Sequence, residues 1–162
     1  MASRIKNLSD FSHIDVKSAT GFQFGIVVAQ WNATITGALL NGAIDGLMKH
    51  GASEEYITVV EVPGSYELIT GADIILRDNK FDAIICLGCV IQGETRHFDF
   101  ICDAVANGIS NVSIKYNKPV IFGVLTTDNQ QQAIDRAGGI HGNKGEEAAV
   151  TAIQMAHIHK TF

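Results

Sequence analysis

Apolar residues recur along this chain with two different periods, and the switches between them mark out its elements. From 24 to 30 they are nearly consecutive, with Gly25, Ile26, Val27, Val28 and Ala29 at the centre. From 81 to 90 the run Ala83, Ile84, Ile85, Cys86, Leu87 is unbroken. Runs of this kind suit strands buried on both faces, as in a parallel sheet covered by helices. Shorter strands are predicted at 57–62, closed by Pro63 and Gly64, and at 120–125. Between the strands the period lengthens to that of a helix. Leu40, Ala43, Ile44, Leu47 and Met48 share one face of a helix over 34–50. Lys49 and His50 suit its negative C-terminal end, and Gly51 can cap it. A second helix is predicted over 65–77, with Ser65 as its N-cap. Ile101, Ala104, Val105, Gly108, Ile109 and Val112 form the apolar stripe of a third. A short helix over 129–137, a glycine-rich turn at 138–142 and a helix over 144–159 complete the pattern.

Alternating strand and helix patterns imply a parallel sheet with helices on both faces. Four strands predict an α/β fold of the three-layer αβα, flavodoxin-like class, a small doubly wound four-stranded parallel sheet. Residues 1–21 are polar and weakly periodic. They read as an N-terminal arm, either disordered or adding an edge strand to a neighbour, ahead of a single domain over 22–162. At 162 residues and 46% apolar, the chain is long enough to bury a real core. Its net charge of -5 gives no reason to expect nucleic acid or an anionic membrane as partner. No apolar run approaches the ~20 residues needed to span a bilayer. The first residues are not followed by an apolar stretch of the signal-peptide kind. Three cysteines, an odd number, favour reduced thiols and a cytoplasmic location.

The candidate chemistry gathers where the strands end, which is where open α/β sheets bind ligands. Trp31 and Asn32 follow the first strand, and Ser65, Tyr66 and Glu67 the second. Gly93, Glu94, Thr95, Arg96 and His97 follow the third, and Thr126, Thr127 and Asp128 the fourth. An indole face, two carboxylates, hydroxyls and a helix N-terminus fitted for anions suit planar, polar, phosphorylated ligands. His97 is the side chain suited to proton transfer near neutral pH. Glu67 also suits the start of its own helix, and Lys144 the flank of the last one. Cys86 and Cys89 have a redox-like spacing. Positions three apart in a strand face opposite sides, however, so they read as buried, inert thiols.

Several ordered blocks together carry a family resemblance. They are Gln30-Trp31-Asn32, Val62 to Leu68, Leu87 to Asp99, Phe122 to Thr127, Gln132 to Gly138, and Gly142-Asn143-Lys144-Gly145. The chain resembles the 6,7-dimethyl-8-ribityllumazine synthases of riboflavin biosynthesis. The resemblance implies a transferase that condenses 5-amino-6-ribitylaminouracil with 3,4-dihydroxy-2-butanone 4-phosphate, using no cofactor and no metal. It implies that Trp31 stacks on the pyrimidine, that Ser65, Tyr66 and Glu67 bind the ribityl chain, and that Cys89, Val90 and Ile91 hold the pyrimidine edge through backbone groups. Glu94 and Thr95 would face the phosphate, with Lys144 nearby, and His97 would be the general acid and base. Phe122 and the phosphate-pairing Arg136 would enter from an adjacent subunit. The family forms pentamers. The short glycine-rich link between Arg136 and Asn143 resembles that of members that build a 60-subunit icosahedral shell, able to enclose riboflavin synthase.

The chain departs from the family pattern at Trp31, where Phe is frequent, and at Gln92, where Arg is common. Arg96 stands at a position usually small or hydroxylated, and Ile140 where Lys is frequent. Three rival readings stand beside the first. One is a flavin-binding electron carrier, since Thr34-Ile35-Thr36-Gly37 resembles the phosphate loop of flavodoxins. Another is a homologous riboflavin synthase that dismutates lumazine. The third is a shell protein without catalysis.

Overall fold

The computed structural model describes residues 7–162. The element order is β1 (Phe24–Ala29), α1 (Ala33–Lys49), a 3-10 turn (Glu54–Tyr56), β2 (Ile57–Val62), α2 (Leu68–Leu76), β3 (Ala83–Ile91) and α3 (His97–Tyr116). It continues with β4 (Val120–Thr127), α4 (Gln130–Asp135), β5 (Ala137–Gly139), β6 (Gly142–Asn143) and α5 (Lys144–Thr161). The main sheet is parallel, in the order β2-β1-β3-β4. It is the doubly wound three-layer sheet that the apolar runs predict.

The central strands are buried on both faces because each face has its own helical layer. Ile26, Val28, Ile85, Leu87 and Cys89 point into a core with Leu39, Ala43 and Leu47 of α1 and Ala149, Ala152 and Ile153 of α5. Val27, Ala29, Ile84 and Cys86 point the other way, against Leu68 and Ala72 of α2 and Val105 and Ile109 of α3. The two cysteines therefore sit on opposite faces. Burial pushes the Cys86 thiol up to about 12 and the Cys89 thiol up to about 11. Each fully buried large side chain contributes roughly 1.5–3 kcal/mol relative to exposure.

On the outer surface, Asp73 of α2 ties that helix to α3. It accepts from Lys115, from Arg77 Nη2 at 2.8 Å and from Tyr116 Oη at 3.1 Å. The Lys115 hydrogen bond first, then that of Arg77, holds the Asp73 carboxyl down at about 2. On the opposite layer α5 lies directly on α1. A Cβ on Gly145 would fall 2.8 Å from the carbonyl carbon of Leu39, and closer to its oxygen.

Four boundaries differ from the sequence pattern. Strand β3 begins at Ala83 and runs on to Ile91, and β4 runs on to Thr127, because ladder pairs Val90–Thr126 and Ile91–Thr127 continue beyond the apolar runs. Helix α2 begins at Leu68, not Ser65, and no side chain caps it. Residues 65–67 form a turn instead, in which Leu68 N–H donates to the Ser65 carbonyl at 3.3 Å. The glycine-rich turn expected at 138–142 is a small antiparallel pair, β5 with β6.

Of the N-terminal arm, residues 1–6 lie outside the described region. The rest packs partly on its own chain. Leu8 and Ala19 are buried, and Ala19 N–H donates to the His50 carbonyl at 2.8 Å. Among the described residues no helix is long and apolar enough to cross a membrane.

Candidate active site

The sheet order leaves a crevice between β1 and β3. From β1 the chain winds to β2 on one side, and from β3 it winds to β4 on the other. Connections that diverge in this way open a groove at the carboxyl ends of the strands. The groove here is a cleft of about 610 Å³, within the ~300–1,000 Å³ usual for small-molecule sites.

Three strand ends and one helix start build it. Trp31 and Asn32 follow β1, Gly64 to Glu67 follow β2, Cys89 to Ile91 end β3, and Gly93, Thr95, His97, Phe98 and Ile101 lead into α3. Asn32 shapes the floor. Its backbone is left-handed, at φ 61° and ψ 44°, which asparagine tolerates better than most residues. That turn lets its Nδ2 donate to the Cys89 carbonyl at 2.9 Å and join the ends of β1 and β3. Trp31 N–H donates to the Pro63 carbonyl at 3.1 Å, which joins β1 to the β2 loop. The indole is 72% exposed, so its face is free for stacking.

Ser65 is buried in the wall, and its hydroxyl has no hydrogen-bond partner. It lies over Gly88, where a Cβ would come within 2.6 Å of its Oγ. An orphan hydroxyl lining a cleft is a donor in reserve for a ligand. The Glu67 carboxylate folds back toward Gly64, 3.1 Å from where a Cβ would stand. Cys89 is too apolar in its setting to ionise near neutral pH, so it offers the cleft backbone groups and no thiolate. His97 is the first residue of α3 and is exposed. Its N–H lies 3.4 Å from Thr95 Oγ1. The Asp99 and Phe100 N–H groups donate to the Arg96 carbonyl at 3.1 and 3.4 Å, and the positive end of the α3 dipole favours an anion near this turn. An exposed indole, the Ser65–Glu67 turn, the end of β3 and an imidazole at a helix start thus surround one volume.

Of the residues singled out by sequence, Trp31, Ser65, Tyr66, Glu67, Cys89, Val90, Ile91, Thr95 and His97 line this cleft. Glu94 is exposed in the same turn but outside the lining. Phe122, Arg136 and Lys144 also lie outside it. Phe122 is on edge strand β4, beside α3. Arg136 follows α4, its Nη1 donating to the Gln132 carbonyl at 2.9 Å. Lys144 opens α5 and pairs with Glu147 at 2.6 Å. Residues 34–37 belong to α1 and take no part in the lining. Thr36 is buried, with its Oγ1 3.4 Å from the Asn32 carbonyl. Sequence reasoning missed Asn32 as the strut of the floor, and Phe98 and Ile101 as lining. Nothing local marks the first, whose partner Cys89 lies 57 residues away. Ile101 is visible only as part of the α3 stripe.

Comparison with known proteins points to one family. The profile of the 6,7-dimethyl-8-ribityllumazine synthase family matches residues 21–160. A protein of that name from Cytophaga hutchinsonii is 57% identical over 155 residues, covering 96% of this chain and 97% of that one. Its namesake from Flavobacterium johnsoniae is 50% identical over 160 residues, covering 99% and 84%. That from Parabacteroides distasonis is 50% identical over 158 residues, covering 98% and 99%. A profile that spans the fold and every wall of the cleft, with relatives matched over nearly their full length, makes the chain a member of the 6,7-dimethyl-8-ribityllumazine synthase family.

Proposed function

We propose that the cleft condenses 5-amino-6-ribitylaminouracil with 3,4-dihydroxy-2-butanone 4-phosphate. The product is 6,7-dimethyl-8-ribityllumazine, the precursor used in the last step of riboflavin biosynthesis, and phosphate and water leave. The observation that carries this reading is the convergence of Trp31, the Ser65–Glu67 turn, the β3 end and His97 on one cleft at the switch point of the sheet. Trp31 stacks on the pyrimidine. The backbone of Cys89, Val90 and Ile91 holds the pyrimidine edge, and Ser65, Tyr66 and Glu67 take the ribityl hydroxyls. Glu94 and Thr95 present the amides of the α3 start to the phosphate. His97 accepts and returns protons during Schiff-base formation, elimination and ring closure. Holding two substrates face to face supplies much of the rate, since orientation alone is worth ~7–11 kcal/mol.

Phe122, Arg136 and Lys144 enter the reading through assembly. In a pentamer an edge strand and the segment after α4 of one copy meet the open mouth of the next. Phe122 would then cover the pyrimidine, and the fork of Arg136 would grip phosphate oxygens, with Lys144 adding charge. Twelve pentamers would close into a 60-subunit shell, with room for riboflavin synthase, in the cytoplasm. Sedimentation reads this directly. A single species of about 90 kDa, five chains of 17.4 kDa, rejects the shell and keeps the pentamer.

The test of the reaction is a two-substrate assay with purified protein, following product fluorescence and mass against the uncatalysed background. Accelerated formation of the lumazine is expected. Riboflavin as the product would favour the dismutase reading. No acceleration with assembled protein and intact substrates would overturn the proposal.

A further inference from the structure

We infer that residues 7–9 are a strap that positions the hairpin carrying Arg136 and Lys144, with Ser9 as its key positioning residue. The inference rests on the proposed phosphate-gripping role of Arg136. The hairpin, β5 with β6, is three residues paired with two and contains Gly138, Gly139 and Gly142. So short and glycine-rich a pair does not hold its own shape in water. Yet it spaces the two cations, because Arg136 stands just before it and Lys144 just after. Their backbones are joined by Lys144 N–H donating to the Arg136 carbonyl at 2.8 Å.

The hairpin is fastened from two sides. From α1, the Ala38 carbonyl accepts from Asn143 Nδ2 at 3.0 Å. From the N-terminal segment, Leu8 N–H donates to the His141 carbonyl at 2.7 Å. Ser9 Oγ accepts from Asn143 N–H at 3.0 Å. The segment is itself set by Asn7, whose Oδ1 accepts from Ser9 N–H at 2.9 Å. Leu8 is buried there. Gly142 makes the seat. Its φ is +80°, and a Cβ there would fall 2.8 Å from Ser9 N, 3.0 Å from Leu8 N and closer still to Asn7. The strap thus crosses the hairpin at van der Waals distance and bonds to its backbone on both sides of Gly142. Its hydrogen bonds to the hairpin go to His141 and Asn143, neither of which lines the cleft. Its effect is therefore confined to the spacing of the cations, whose precise placement costs less on binding when the chain is already ordered.

The test uses the full-length, assembled enzyme with Ser9→Ala, Ser9→Thr and Arg136→Ala. Steady-state kinetics are measured for each substrate, with inorganic phosphate as a competing probe. Ser9→Ala removes one acceptor and is expected to raise KM for the phosphate-bearing substrate and weaken phosphate inhibition by roughly fivefold. KM for the pyrimidine and kcat should stay near wild type, and Ser9→Thr, which keeps the hydroxyl, should behave as wild type. Wild-type phosphate binding in Ser9→Ala, or a parallel change in both KM values, overturns the strap. Arg136→Ala separates the two readings. If it weakens phosphate and Ser9→Ala does not, the strap alone fails. If it leaves phosphate binding intact, the role of Arg136 fails and the inference with it.

Discussion

Replacing Gly145 with alanine puts a methyl group where α1 and α5 already touch. The new Cβ would stand 2.8 Å from the Leu39 carbonyl carbon and nearer its oxygen, whereas ordinary contacts begin at 3.4 Å. The obstacle is helix backbone, which cannot swing aside as the end of a side chain can. The two helices must separate or α5 must start later. A later start breaks the bond from Gly145 N–H to Asn143 Oδ1 at 2.7 Å and shifts Lys144. Overpacking a tight core costs typically ~1–3 kcal/mol, and a backbone obstacle belongs at the upper end. At about 2–4 °C per kcal/mol for a chain of this size, Tm should fall by roughly 6–12 °C. Gly37→Ala is the matched control. It is also a helical glycine, but a Cβ there meets nothing within 4 Å. Gly37→Ala should raise stability by about 0.4–1 kcal/mol through chain entropy. The assay is a thermal melt of all three proteins at one concentration, since assembly makes Tm concentration-dependent. A Gly145→Ala melt within about 2 °C of wild type would refute the steric argument.

Other perturbations have equally definite outcomes. His97→Ala should lower kcat by roughly 10²-fold yet leave measurable turnover, because stacking and phosphate binding remain; an unchanged rate removes His97 from the mechanism. Trp31→Ala should raise KM for the pyrimidine by roughly tenfold while Trp31→Phe stays near wild type, and equal effects of the two would exclude stacking. With the folded carboxyl of Asp73 at about 2 against an ordinary 3.8, its stabilisation is complete above pH ~4 and lost as pH falls toward 2. Asp73→Asn should therefore lower Tm at neutral pH and flatten its fall between pH 4 and 2; an unaltered acid limb contradicts the clamp. Because burial pushes Cys86 and Cys89 up to about 12 and about 11, the native protein should take up no thiol-alkylating label there at pH 8, as read by peptide mass. Modification of either without unfolding would show that the sheet is not closed over them.

Local chemistry was legible in the sequence where it repeats, and illegible where it depends on a distant partner. The run from Ala83 to Leu87 suited a strand buried on two faces, and in the two cores Cys86 and Cys89 face apart. Gly51, at φ +94°, ends α1 as its position suggested. Ser65 failed as a cap because a serine before an apolar helix looks the same whether its hydroxyl turns back to the helix or inward. Only Gly88, on another strand, leaves the space that draws it inward. Asn32 read as a polar neighbour of Trp31, since nothing in its surroundings signals a bond to Cys89. The N-terminal segment carried only a weak period, and its fastening on either side of Gly142 is a matter of two hydrogen bonds, to His141 and Asn143. Phe122, Arg136 and Lys144 were found through resemblance alone. Their place on the fold, away from the cleft of their own chain, is not written in any local pattern.

The bond from Asn32 to the Cys89 carbonyl closes a loop of 57 residues. The junction at the centre of the cleft depends on a loop of that order, because β1 and β3 are neighbours in the sheet but not in sequence. Closing such loops is slow compared with winding a helix. In a refolding chain, helical content therefore returns before the central strands find their register, and catalytic competence returns only with that register. Recovered activity is a more demanding measure of a correctly folded chain than recovered helicity, and a nascent chain remains catalytically silent until β3 has paired with β1.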